Sequence, residues 1–166
     1  MLKYYKVVLS AHNLKFATEG SACFDISASL IPDQTVVVYS AEEGRIDITI
    51  NKFSAISIKP KDRVLVPTNL ILDIPTNYSV RIHPRSGLAL KSGLILANCE
   101  GVIDSDYIDP LYVMIYNISG QNQVISDGDR IAQGELVKTE QYAVSETSVK
   151  PLQKSSRIGG FGSTGV

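Results

Sequence analysis

Arg45-Ile46-Asp47-Ile48-Thr49-Ile50 alternates polar and apolar residues without a break, and every apolar member is β-branched. A period of two sets Ile46, Ile48 and Ile50 on one side of an extended chain and Arg45, Asp47 and Thr49 on the other. The segment therefore predicts a strand with one wet face. Outward from it, short runs rich in β-branched residues recur at 6–9, 35–39, 54–58, 63–67, 79–83, 112–117 and 131–138. Turn-forming groups punctuate them: Pro32-Asp33, Glu43-Gly44, Pro60-Lys61-Asp62, Pro75-Thr76-Asn77, Ser119-Gly120 and Asp127-Gly128-Asp129. Many short strands with this punctuation read as an all-β sandwich or barrel. One short helix is expected from Ser86 to about Lys91, with Pro84 and Arg85 ahead of it and Gly93 behind. Its apolar residues Leu88, Ala89 and Leu90 suggest that it is tucked against the sheets.

With 166 residues, 44% of them hydrophobic, the chain has material for one core of ordinary size. The expected organisation is a β domain over residues 1–143, followed by a polar arm over 144–166 that ends in glycines. The net charge of −1, from 16 basic and 17 acidic side chains, supplies no field for nonspecific binding to a polynucleotide. Cys23 and Cys99 are far apart in sequence, in no metal-ligand spacing, and read as small buried or loop residues. The start of the chain does not fit a signal peptide, and no segment approaches the roughly 20 apolar residues of a spanning helix. The expectation is a soluble cytoplasmic protein that is neither secreted nor membrane-bound.

Several segments carry chemistry. Arg85-Ser86-Gly87 precedes the short helix, so the guanidinium, the hydroxyl and backbone N–H groups can converge on an anion; a capping serine beside a solvated arginine is the plain alternative. In Gly101-Val102-Ile103-Asp104-Ser105-Asp106-Tyr107, Asp104 is a candidate general base and Tyr107 a ring face for a sugar. An Asx turn and a half-buried strand aromatic are the ordinary readings of the same two residues. Gln133 can present an amide to phosphate or water. Asp25 is a candidate carboxylate for Mg²⁺, an ion usually held by substrate oxygens, waters and one or two carboxylates; capping a turn is its ordinary role. At the end of the chain, Phe161 lies among four glycines and is followed by Ser163 and Thr164. That composition suits either a frayed terminus or a lid with one ring and several donors.

Taken together and in order, five segments resemble the motifs of the trimeric deoxyuridine triphosphate nucleotidohydrolase (dUTPase) family. They are Ser21-Ala22-Cys23-Phe24-Asp25-Ile26-Ser27-Ala28, Pro84-Arg85-Ser86-Gly87-Leu88-Ala89, Gly101 to Tyr107, Gly128-Asp129-Arg130-Ile131-Ala132-Gln133, and Gly159-Gly160-Phe161-Gly162-Ser163-Thr164-Gly165. The resemblance implies a jelly-roll-like β fold and a homotrimer, with three active sites each built from all three subunits. It further implies hydrolysis of dUTP to dUMP and pyrophosphate with Mg²⁺. On that resemblance, Asn98, Val102, Ile103 and the strand near Tyr112 surround uracil, and Tyr107 stacks on the deoxyribose. Asp104 activates water for attack at the α-phosphorus. Arg85, Ser86, Gly87 and Gln133 hold the phosphates, and Asp25 reaches Mg²⁺ through water. Arg157 reaches the γ-phosphate, Phe161 stacks over uracil, and Gly162, Ser163 and Thr164 close on the nucleotide.

Three positions depart from the family pattern. Cys23 stands where glycine is usual, and Ile108-Asp109-Pro110 follows Tyr107 where a basic or polar residue and glycine are usual. In the last motif Ser156 occupies the usual arginine position, with Arg157 one residue later. Residues 40–53 look like an extra hairpin. Two other functions compete. A dCTP deaminase would share the fold and the triphosphate site but act on the base. A dUTP-responsive regulatory protein would use the 40–53 segment toward a partner, with hydrolysis incidental.

Overall fold

The computed structural model describes residues 1–156. Its strands are β1 (Lys3–Lys6), β2 (Lys15–Phe16), β3 (Phe24–Ser27), β4 (Thr35–Ser40), β5 (Gly44–Thr49), β6 (Ala55–Ile58) and β7 (Arg63–Pro67). There follow β8 (Leu70–Asp73), β9 (Tyr78–His83), helix α1 (Ser86–Ser92), β10 (Leu94–Leu96), β11 (Gly101–Ile103), β12 (Tyr112–Asn117), β13 (Gln123–Ser126) and β14 (Arg130–Lys138). One five-stranded sheet runs β10-β12-β7-β4-β5 and the other β11-β9-β14-β3-β2; two ribbons, β1-β8 and β13-β6, complete the set. Val38, Val64, Val66, Val113 and Ile115 of the first sheet share one buried cluster with Ile26, Val80, Ile82, Ile131 and Ala132 of the second. Two inner faces meeting in a single core make a β sandwich.

The alternating segment behaves as its pattern requires. Ile46 and Ile48 pack against the core and Ile50 is fully buried, while Arg45, Asp47 and Thr49 face water. The hairpin expected over 40–53 lies earlier: it is formed by β4 and β5, whose pairing runs from Thr35 opposite Thr49 to Ser40 opposite Gly44, with Gly44 at φ +77° at its turn. The Ser40 hydroxyl accepts hydrogen bonds from the N–H groups of Glu42 and Glu43, and the Asp62 carboxylate accepts one from Ala41. In the Pro60-Lys61-Asp62 turn the proline is followed by a left-handed residue, Lys61 at φ +66°, and Asp62 N–H closes on Lys59 O. That is the proline-first geometry of a type II turn.

Asn117, wholly buried, shows how the core tolerates a polar side chain. Its Nδ2 donates to Ile58 O and Gln121 O, and its Oδ1 accepts from the N–H and hydroxyl of Ser119. Every donor and acceptor of the amide is used, so burial leaves no unmet desolvation cost.

Two further expectations need correction. The first strand is Lys3–Lys6, not 6–9, because Tyr4 and Tyr5 carry the pairing with β8 and the chain turns after Lys6, leaving Leu9 almost fully exposed. The helix is only partly tucked in. Leu88 packs against the core, but Leu90, two residues round a seven-residue helix, is 86% exposed. Strands β2, β3, β8, β10, β11 and β13 lie outside the predicted runs, since segments of two to four residues seldom display a period. Among the described residues no helix is long and apolar enough to cross a membrane.

Gly134 fixes how β14 and β3 approach each other. A Cβ at that position would lie 2.5 Å from two ring carbons of Phe24, and the ring is itself buried. Gly134→Ala is therefore expected to destabilise the fold by about 1–3 kcal/mol through overpacking. The check is thermal and urea unfolding at one fixed protein concentration; an unchanged midpoint would mean that Phe24 can move aside.

Candidate functional site

Chemistry collects at two poles of the β11-β9-β14-β3-β2 sheet. At the first pole, Gln133 of β14 lies between Asp25 on β3 and His83 on β9. A register shift between Arg130 and Ala132 decides what faces outward there. Strict alternation from Gln133 would turn Arg130 inward, since three residues separate them. Instead Ile131 and Ala132 are both buried, and the extra residue returns Arg130 to the outer face. There Arg130 Nη1 lies 3.0 Å from Asp25 Oδ2, while Arg85 Nη1 donates to Asp25 Oδ1. Arg85 thus stands fixed over the strand ends. Burial, and then the charge of Arg130, lower its pKa from the ordinary value. Gln133 Nε2 donates to Pro84 O at 3.0 Å, which ties the loop before α1 to β14.

Ser86 is not the capping residue of α1. Arg85 occupies that place with extended dihedrals, and no side chain caps the helix. Ser86 and Gly87 are both exposed, immediately beside the Arg85 guanidinium. The pole is thus a cationic shelf of two arginines, an amide and the start of a helix, and its single carboxylate is committed to holding the arginines. Such a shelf suits an anion with several oxygens.

The second pole surrounds β11. Asn98, Val102, Ile103 and Tyr112 line one small cleft of about 130 Å³ between β11 and β12. That is far below the 300–1,000 Å³ typical of a whole-ligand pocket, roughly enough for one flat ring. Cys99 at φ +62° turns the chain between β10 and β11, and Glu100 N–H closes on Asn98 O. Asp104, just past β11, is exposed and borders a different hollow with Asn77, Tyr78 and Thr139. Tyr107 N–H bonds back to Asp104 O, and the Tyr107 hydroxyl donates to Pro110 O at 3.2 Å. Burial, then Asp109 and Tyr112, push the Tyr107 phenol above its ordinary pKa, so it remains a donor. Pro110 O thus tethers the ring.

The poles do not meet within one chain. Ile103 pairs with Val80 and Val80 with Leu136, whereas Gln133 pairs with His83. Asp104 therefore lies four residues from Gln133 along the strands and two strands away, which is about 13 Å along and about 10 Å across. The structure brings together Asp25, Arg85 and Gln133, with Ser86 and Gly87 alongside, and separately Asn98, Val102, Ile103 and Tyr112. Arg157, Phe161, Gly162, Ser163 and Thr164 lie outside the described residues. Sequence reasoning gave no role to Arg130, since only the bulge, which leaves no mark in the residue pattern, turns it toward Asp25.

Comparison with known proteins bears on the family of the chain. A dUTPase family profile matches residues 47–165. The deoxyuridine 5'-triphosphate nucleotidohydrolase of Caulobacter vibrioides is 37% identical over 152 residues, which cover 91% of this chain and 84% of the relative. A variant of the Staphylococcus bacteriophage 80alpha dUTPase, solved with dUpNHpp, superimposes with a TM-score of 0.76 at 18% identity and covers 100% of this chain and 99% of its own. The dUTPase of phage phi11 of S. aureus, in which a structural Mg(II) ion is coordinated, gives a TM-score of 0.67 at 16% identity over 90% of this chain and 97% of its own. With a family profile matching most of the chain and a relative 37% identical across 91% of it, the chain belongs to the dUTPase family.

Proposed function

We propose that the chain hydrolyses dUTP to dUMP and pyrophosphate, in sites that each combine the first pole of one subunit with the second pole of another. The observation that carries this reading is the separation of Asp104 from Gln133. A general base must stand within hydrogen-bond reach of the water it activates, and that water within bonding distance of the phosphorus held by the phosphate ligands. Two groups about 13 Å apart along one sheet cannot share a phosphorus atom; two copies can bring them together. A homotrimer closes such sites in a ring of equal contacts.

Within such a site the cleft formed by Asn98, Val102, Ile103 and Tyr112 takes uracil, with backbone groups of β11 reading its edge. The tethered Tyr107 ring packs on the deoxyribose and leaves no space for a 2′-hydroxyl. Arg85, the donors of Ser86 and Gly87, and Gln133 hold the phosphate oxygens where charge builds up during reaction. Asp104 takes a proton from water as its oxygen bonds to the α-phosphorus. The bond from that phosphorus to the bridging oxygen breaks, and pyrophosphate leaves. The arm carrying Arg157, Phe161, Gly162, Ser163 and Thr164 covers the nucleotide. Beyond β14, residues 139–156 form no helix or strand, and Tyr142, Val144 and Leu152 are exposed, as suits a segment that reaches over another surface.

Mg²⁺ fits this donor set: Asp25 is the carboxylate that would hold it, through water, since each of its oxygens already accepts from a guanidinium. When bound, such an ion would neutralise charge on the triphosphate.

Asp104→Asn is expected to lower turnover of dUTP by about 10²- to 10⁴-fold while leaving dUTP binding in place. Pyrophosphate release from dUTP, dCTP, dTTP and UTP, followed together with base products, is the assay. Conversion of dCTP to dUTP without pyrophosphate would instead mean a deaminase, and binding without turnover a regulatory protein. Sharing of sites is tested by complementation. Asp104→Asn and Gln133→Ala proteins, each inactive alone, should regain activity when unfolded and refolded as a mixture, because some sites then receive both intact residues. No recovery in demonstrably mixed oligomers would confine each site to one chain.

A further inference from the structure

Beside the first pole, the outer face of the same sheet carries Cys23, His83 and Glu135 on three adjacent strand lines. Glu135 lies on β14 one residue beyond the Gly134–Phe24 pair, level with Cys23 just before β3, and His83 is the last residue of β9. One ligand-type atom from each, the thiol sulfur, a ring nitrogen and a carboxylate oxygen, lie within 4.8 Å of one another. All three residues are partly exposed in the single chain.

We propose that Cys23, His83 and Glu135 form a binding site for a divalent transition-metal ion, with Zn²⁺ as the best-fitting class. Tetrahedral ligands at about 2.0–2.3 Å from Zn²⁺ stand about 3.3–3.8 Å apart, so modest side-chain rotations close the set. His83 Nε2 is already 3.4 Å from Glu135 Oε2. The donors discriminate among metals: sulfur, nitrogen and oxygen together suit Zn²⁺ or Co²⁺, whereas Mg²⁺ demands an octahedron of oxygens. The other ring nitrogen is also provided for. His83 Nδ1 faces Glu100 Oε1 at 3.7 Å, and Glu100 is held in turn by Arg81 at 3.3 Å. A carboxylate behind a ligating imidazole fixes its tautomer and orientation, as outer ligands of metal sites do. A bound ion would brace β3, β14 and β9 on the solvent side, opposite the close contact of Gly134 with Phe24, and would leave one coordination position for water.

The test is titration of the full-length, metal-stripped protein with Co²⁺ in the absence of nucleotide. A thiolate-to-cobalt charge-transfer band in the near ultraviolet should appear, vanish in Cys23→Ser and persist in Cys99→Ser. Zn²⁺ should bleach it and excess Mg²⁺ should not. Glu100→Gln should weaken apparent Co²⁺ affinity by about 10- to 100-fold. A titration with no band, a band that survives Cys23→Ser or is lost in Cys99→Ser, or bleaching by Mg²⁺ would each overturn the site. If Cys23→Ser does not fold, alkylation of the wild-type protein decides: Zn²⁺ should protect Cys23 and not Cys99, and equal labelling with and without Zn²⁺ would refute the proposal.

Discussion

The register of β14 is the constraint on which the rest of this molecule depends. It is paired on both sides, with β3 and with β9, so its side chains cannot slip without moving two neighbours. Its glycine lets the Phe24 ring lie against the backbone, and its bulge places Ile131 and Ala132 both inward. A slip by one residue would bury Gln133 and Glu135 and expose the apolar pair. The cost is that of burying two polar groups without partners, several kcal/mol in total. The positions of Arg130, Gln133 and Glu135 on the outer face are thus set by what the core will accept.

That constraint explains the charge pattern at the first pole. Two arginines on one small surface repel each other and would spread into solvent if left alone. Asp25 accepts both, one on each oxygen, and is itself largely screened from water. The carboxylate is therefore best understood as a positioning group that makes a preorganised cationic shelf. Preorganised donors cost no rearrangement when charge develops on a bound phosphate, and this is the main advantage such a shelf has over mobile surface arginines.

The fold class was legible because alternation such as that of residues 45–50 reports a half-buried strand directly, and turns such as Pro60-Lys61-Asp62 carry their own chemistry. The ordered motifs named candidate site residues but not their arrangement. Nothing along the chain says that Asp104 lies two strands from Gln133, since that follows from which strands pair. The role of Arg130 depended on a bulge, and the meeting of Cys23, His83 and Glu135 on pairing between segments widely separated in sequence. Spacing rules for metal ligands detect sites built on one local segment, and a site laid across three strands is invisible to them.

The same pairing accounts for why this sandwich suits an assembly better than a lone enzyme. One five-stranded sheet offers two ends, and this chain places the groups proposed to bind phosphate at one and those proposed to read the base near the other. A nucleotide lying along a single subunit would put its α-phosphorus close to only one of them. Rotation about a threefold axis repeats both ends around a ring, so the second pole of each copy can face the first pole of the next. Substrate then lies at a boundary between subunits, where an arm from a further copy can reach it without crossing its own sheet. In such a design affinity for nucleotide and affinity between subunits are linked, because a ligand that binds only the assembled form stabilises that form by mass action.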